Sequence, residues 1–398
     1  MSKIRLVFWI IFAAATFNSC TKDVVREPSF YACNLPFNDT SSLNANNSKY
    51  QQLVDGIAAS GVPGVMMSIY SPADGMWIGT AGKADLKNNI DLVSCNITRV
   101  GSTVKTFTAT TIFMLNEEGL LSLDDPISKY LSAETLKDIE NADVATIRQC
   151  LQHSSGIFNY IQNLQFQTAS LNDLIKEWQP NELLDCARKK KAYFAPGTDV
   201  LYSNTNYILL GMIITNISGK PFYEVFQEKI FEPFNLTFTS FAATDPVPLG
   251  TIRGYVDFYS NLNVINATYY SGWDYFTADG GLISNPFDES IFLTDLMNGE
   301  VISQASLNEM LTFVAPKDPD PEFYPLQYGL GIFRMETPYG IAYFHSGDAI
   351  GYYAIMVYFP EKETTICWAV NGNYGKIDQY TSTKSAMDLV FSTVFSDK

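Results

Sequence analysis

Strand-like segments cluster at the two ends of this 398-residue chain, and most helical ones lie between them. Near the start, residues 64–70 and 76–82 are apolar runs joined by the turn Pro72-Ala73-Asp74-Gly75. Four more follow residue 325, at 329–335, 341–345, 352–359 and 364–370, with Pro360-Glu361-Lys362 turning the last two. Helical patterns occupy 146–152, 171–178, 182–190 and 204–217 in the middle. Others flank the strand sets, at 50–59, at 102–118 with Gly119 placed to cap it, and at 379–395. This order constrains the fold strongly. It predicts one sheet built from both chain ends, with a helical region inserted between its halves.

A hydrophobic share of 46% is enough for a sizeable core, and 17% charged residues is too few for a disordered chain. The formal net charge of −16 argues against nucleic acid as a partner, since phosphate binding needs clustered cations. The one basic run, 188–191, stands beside Asp185 and reads as a solvated helix end. With two His and no CxxC pair, neither a metal site nor a cofactor is expected. Nothing in the composition fixes an oligomeric state.

Residues 1–19 combine Lys3 and Arg5, an apolar stretch from Leu6 to Ala15 and the small Ser19 before Cys20. This is the pattern of a secretory signal, too short to span a membrane. Ser19-Cys20 resembles a bacterial lipobox, which makes Cys20 the expected lipidated N-terminus and membrane anchor of an envelope protein. Residues 20–48 are polar and Asn/Ser-rich towards their end, and read as a tether to one catalytic domain over 49–398. The other five cysteines are an odd number, so at least one stays a free thiol. Cys150 and Cys367 lie in apolar runs and should be buried. Cys33 and Cys95 sit in polar stretches, open to pairing but without support from their spacing.

Three short motifs carry chemistry. In Ser102-Thr103-Val104-Lys105 a helix places Ser and Lys on one side, so the amine reaches the hydroxyl. A Ser in the first turn also meets the positive end of the helix dipole, where an oxyanion would form. A second match, Ser19 to Lys22, straddles the cleavage point and lacks a following helix. In Tyr202-Ser203-Asn204, a phenol near an ammonium can have its pKa lowered and accept a proton from Ser, while the Asn amide can bond both Lys and substrate. His345-Ser346-Gly347 ends a predicted strand whose edge can pair with a peptide backbone, with Gly allowing close approach. His153 in Leu151-Gln152-His153-Ser154-Ser155-Gly156 reads as a turn histidine, since no Asp pattern suits it as a base.

The three motifs in this order resemble the serine β-lactamase and penicillin-binding-protein superfamily, and its class C branch above all. Thr146 to Gln149, Ile230 to Phe234 and Asp279-Gly280-Gly281-Leu282-Ile283-Ser284 extend the resemblance over most of residues 50–395. It implies an α/β fold, an antiparallel sheet flanked by helices with an inserted all-helical subdomain. It also implies that Ser102 attacks a carbonyl, that Lys105 and Tyr202 share the proton traffic, and that Asn204 orients the substrate. His345, Ser346, Gly347 and Asp348 would bind it, with the N–H groups of Ser102 and Asp348 as the oxyanion hole.

His345 stands where many relatives have Lys, and Asp348 where a small or hydroxyl residue is common; both weigh against β-lactam turnover. An unperturbed His titrates between roughly pH 5 and 8, so recognition at His345 is expected to depend on pH. Glu177 to Asn181 mimics a loop of class A β-lactamases but precedes the second motif instead of following it, and no Gly-x-Ser-x-Gly occurs. The expected activity is acyl transfer from a small-molecule or peptide substrate. A carboxypeptidase for D-Ala-D-Ala peptides leads, with an esterase as the close competitor and a non-catalytic peptidoglycan-binding protein as the rival. Loops such as 257–278, rich in Tyr and Asn, would set selectivity.

Overall fold

The structure, a computed structural model, describes residues 35–36, 39–270 and 272–396. The expected signal segment and Cys20 lie outside the described residues. The sheet takes β1 (Gly64–Ser71), β2 (Gly75–Asp85) and β3 (Ile90–Asp91) from the first part of the chain. From the last part come β4 (Leu326–Tyr328), β5 (Phe333–Thr337), β6 (Gly340–Ala349), β7 (Tyr352–Phe359) and β8 (Thr364–Val370). The eight strands lie in the order β3-β2-β1-β8-β7-β6-β5-β4, every pair antiparallel. The chain ends therefore meet at one seam, where Val65 pairs with Val370 and Ile69 with Ile366. This is the α/β architecture the segment order predicts.

Burial on both faces explains why β7 and β8 read as unbroken apolar runs. On one face Val65, Met67, Ile355, Val357 and Trp368 pack with α1 (Asn47–Ala59) and with the closing helix Lys384–Phe395. On the other, Met66, Met356, Cys367 and Ala369 join the larger core. There lie α2 (Val104–Glu117), α3 (Asn204–Ser218) and α4 (Pro286–Met297), with Phe107 of α2 stacked on Phe292 of α4 at 3.7 Å. Eleven of the 14 residues of α2 are buried, so it is a central helix between the sheet and the inserted helical region. Burial of each large apolar side chain contributes about 1.5–3 kcal/mol before entropy is counted.

Several boundaries differ from the sequence reading. The domain starts before residue 49: the Ile78 N–H donates to Ser41 Oγ at 2.8 Å, and Trp77 Nε1 donates to Asn47 Oδ1 at 2.9 Å. The helix expected at 171–178 is instead Leu164–Asn172, started by Asn163, whose side chain accepts from the Gln165 N–H. The one expected at 182–190 is Pro180–Asp185. Residues 329–335 are not one strand, because the chain turns between β4 and β5 at Gly331 (φ +84°), whose carbonyl accepts from Thr106 Oγ1. A Cβ there would lie 2.2 Å from the Ala109 Cβ, so the turn is pressed onto α2. The closing helix breaks into Gly375–Thr381 and Lys384–Phe395, the second capped by Thr383. Cys150 and Cys367 are buried free thiols, Cys186 is free, and Cys95 is disulfide-bonded.

Candidate active site

Ser102 follows the short strand Thr98–Gly101, which pairs with Leu282–Ser284, and precedes α2 by two residues. The chain reverses there through Gly101, at φ +52°. Gly101 and Gly347 let β6 lie directly against this reversal. A Cβ on Gly101 would meet Asp348 O at 2.7 Å, and one on Gly347 would meet Val100 O at 2.0 Å and Ser102 N at 2.4 Å. Only two residues without side chains permit so close an approach. It sets the Ser102 N–H beside the backbone of 347 and 348.

Lys105 Nζ donates to Ser102 Oγ at 2.8 Å and to the Asp279 carbonyl, and Ser102 Oγ lies 3.4 Å from the same carbonyl. Lys105 is fully buried. Burial pushes its ammonium down from the usual range to about 7, against the opposing charges of Asp279 and Asp274. Tyr202 and Ser102 line the same cleft, and the Tyr202 ring lies 5.1 Å from Lys105 Nζ. Its phenol is pushed up by burial, with the nearby Ser102 hydroxyl only partly opposing. This corrects the expectation of a lowered Tyr202. A lysine that is itself half-neutral near pH 7 is a weak source of positive potential, and desolvation of the phenolate wins.

His345 on β6 is 2% exposed. Its Nδ1 lies 2.7 Å from the Ser346 carbonyl, which can only accept, so the neutral ring carries its proton on Nδ1 and a lone pair on Nε2. That Nε2 is buried without a partner. Burial, and then the charge of Lys105, push the ring down to about 3. His345 therefore does not titrate between pH 5 and 8, which overturns the expected pH-dependent recognition. Asn204 opens α3, its main-chain N–H and side chain both directed to Asn159 Oδ1 at 3.2 and 3.4 Å. Asp348 reaches solvent at the rim. Surrounding protein and the nearby charge of Asp378 raise its carboxyl above the usual carboxylate range, while its exposed edge keeps the anion in contact with water.

Ser102, Tyr202, Asn204, His345, Ser346 and Asp348 all line one cleft of about 410 Å³. Aromatic side chains, among them Trp273, Tyr328, Phe333 and Phe344, form much of the rest. Of the described residues of the loop 257–278, Trp273 and Asp274 reach it. Sequence reasoning gave no role to Asp279, whose main-chain oxygen holds both Ser102 and Lys105. Its carboxylate accepts from Tyr160 Oη at 3.0 Å, and the Arg99–Asp274 ion pair is buried close by. The signal was Asp279-Gly280-Gly281, where a Cβ on either glycine would strike Asp274. Among the described residues no group of three or more His, Cys, Asp or Glu is placed to hold a metal ion.

A family model described as beta-lactamase matches residues 50–386. A penicillin-binding protein of Bacillus subtilis (strain 168) is 26% identical over 324 residues, 78% of this chain and 68% of that protein. Teichoic acid D-alanine hydrolase of Staphylococcus aureus is 24% identical over 295 residues, 74% of this chain and 68% of that protein. Among solved structures, a D-stereospecific amidohydrolase from Streptomyces sp. superimposes with a TM-score of 0.76 at 27% identity, covering 88% of this chain and 99% of that one. The D-amino acid amidase from Ochrobactrum anthropi SV3, complexed with L-phenylalanine amide, gives 0.76 at 25% identity, covering 87% and 97%.

Proposed function

The chain belongs to the beta-lactamase family and is a serine hydrolase; we propose that Ser102 is its acylated nucleophile and that its substrates are amides and esters of D-amino acids. The observation that carries the first part is the Ser102 Oγ to Lys105 Nζ contact of 2.8 Å, made by a buried amine shifted to about 7. Neutral Lys105 takes the Ser102 proton as Oγ bonds to the carbonyl carbon. The oxyanion is held by the N–H groups of Ser102 and Asp348. Tyr202, a phenol through the working pH range, gives its proton to the leaving amine or alcohol as the tetrahedral carbon collapses. The Lys105 ammonium then restores that proton, and water repeats the sequence to release the acid. Asn204 orients the substrate.

The charge of the cleft favours the second part. Among the described residues lining it there is no Arg or Lys, His345 is neutral, Asp274 is paired with the buried Arg99, and Asp279 and Asp348 are further acids. A peptide ending in a free carboxylate finds no cationic partner beyond Lys105 and would approach the Asp348 side chain. This disfavours the carboxypeptidase reading and agrees with relatives named as a D-amino acid amidase and a D-alanine hydrolase. The expected result is a kcat/KM for D-alaninamide and D-phenylalaninamide at least roughly tenfold above that for a D-Ala-D-Ala peptide, since a missing ionic partner costs on the order of 1 kcal/mol or more. Preference for the carboxylate-bearing peptide would sink the amidase reading.

Work at the cell envelope, with a lipid anchor on Cys20, completes the proposal. It is supported by the signal-like residues 1–19 and by a penicillin-binding relative. In a bacterial host, Cys20→Ala should move the protein from the membrane to the soluble fraction. Equal membrane partition of variant and parent would remove the anchor.

A further inference from the structure

His153 stood outside the mechanism as a turn histidine, yet its contacts converge on one side chain. Its carbonyl accepts from the Leu201 N–H at 3.0 Å, and its Nδ1 accepts from the Ser203 N–H at 3.0 Å. The two hydrogen bonds grip the residues immediately before and after Tyr202. The imidazole also stacks on the Tyr202 ring, with centroids 4.3 Å apart and planes 30° from parallel. Phe333 lies parallel to the imidazole at 6.4 Å and Tyr207 stands at 5.2 Å, so the ring is wedged in place. His153 is 2% exposed and takes φ +58°, a left-handed conformation that His and Asn accept more readily than most residues.

The rest of the turn serves the same segment. The Ser154 carbonyl accepts from the Gly197 N–H, and the Gly156 carbonyl from the Tyr193 N–H, both at 2.8 Å. A Cβ at Gly156 would lie 2.0 Å from Phe194 O, so the two stretches are in contact through their backbones. The run from 193 to 203 has no regular secondary structure of its own, and α3 begins only at Asn204. Tyr202 thus sits on irregular chain whose placement depends on outside hydrogen bonds.

We propose that His153 is a positioning residue for Tyr202, clamping its backbone on both sides and its ring by stacking so that the phenol is held in the cleft it shares with Ser102. The inference rests on the reading of Tyr202 as the proton donor to the leaving group. Accepting from Ser203 requires an unprotonated Nδ1, and burial, aided by the charges of Lys105 and His345, holds the ring neutral.

Two variants separate the contacts. His153→Asn keeps a left-handed residue and a side-chain oxygen for the Ser203 N–H but removes the ring. His153→Phe keeps a ring and removes the acceptor. Each should lower kcat for a D-amino-acid amide roughly 10- to 100-fold, the scale of a misplaced catalytic group, with KM within about threefold. In a Tyr202→Phe background the same changes should cost little more, because the group they position is gone. If Tyr202→Phe alone leaves kcat unchanged, the reading of Tyr202 fails. If Tyr202→Phe is damaging and the His153 losses simply multiply with it, or if kcat of the His153 variants stays within twofold of the parent, the positioning role fails. Should one variant not fold, the cycle is run with the other; should neither fold, His153 is a stability residue and the proposal is withdrawn.

Discussion

Ser102→Ala is expected to lower kcat/KM for every substrate by roughly 10⁴-fold or more, the scale seen when a serine nucleophile is deleted, while the fold stays intact. The hydroxyl touches the Lys105 amine and lies just before a helix that starts at the cleft. Its removal leaves Lys105 with the Asp279 carbonyl as partner, so no buried cation is stranded. Thr103, not Ser102, precedes the first residue of α2, and Ser102 is only partly buried. The stability change is therefore about 1 kcal/mol, that of one hydrogen bond. The same pair fixes the pH dependence. Lys105 accepts a proton only as the free amine, and its ammonium loses its proton near 7. Below that value the competent fraction falls about tenfold per pH unit, and above it the rate levels off. A pH profile of kcat/KM on a neutral amide checks this. Activity that is retained by Ser102→Ala, or is flat from pH 5 to 8 in the parent, would remove this pair from the mechanism.

Much of this was legible in the sequence, for definite reasons. Tyr352–Phe359 and Thr364–Val370 were found to the residue because Gly351 and Pro360 bound two runs buried on both faces. The motifs of Ser102, Tyr202 and His345 were visible because their side-chain types are unusual in combination, and one cleft brings them together. The helix at 171–178 was misplaced because Leu171, Leu174, Ile175 and Trp178 imitate helical spacing. Leu171 and Ile175 are in fact 68% and 61% exposed, so the periodicity reports no buried face. Asp279 escaped because it acts through a carbonyl oxygen, which every residue has. The ionisation of Tyr202 and His345 was misjudged because it depends on burial. Neighbours in sequence do not reveal how much protein lies over a side chain.

Burial of ionisable groups has a second consequence, for stability. Glu289 of α4 is 0% exposed, and neither of its carboxyl oxygens meets a hydrogen-bond partner of good geometry. Burial pushes its carboxyl up to about 8; the Thr103 hydroxyl pulls the other way, and Asp288 adds to the rise. In the unfolded chain a Glu releases its proton near 4.3. Between these values the folded protein keeps a proton that the unfolded chain has lost. Stability is then fully present below about pH 4 and declines as pH rises towards 8, by about 1.4 kcal/mol per unit. Glu289→Gln preserves shape and never ionises. From pH 5 to 7.5 the variant should escape about 3 kcal/mol of the loss suffered by the parent. Asp288, pushed up to about 7, responds in the same direction and leaves a residual slope in both proteins. Urea unfolding at the two pH values gives the four free energies needed. Parallel pH dependence in parent and Glu289→Gln would mean that Glu289 is solvated or ion-paired in solution. The buried, protonated carboxyl of Glu289 would then have to be abandoned.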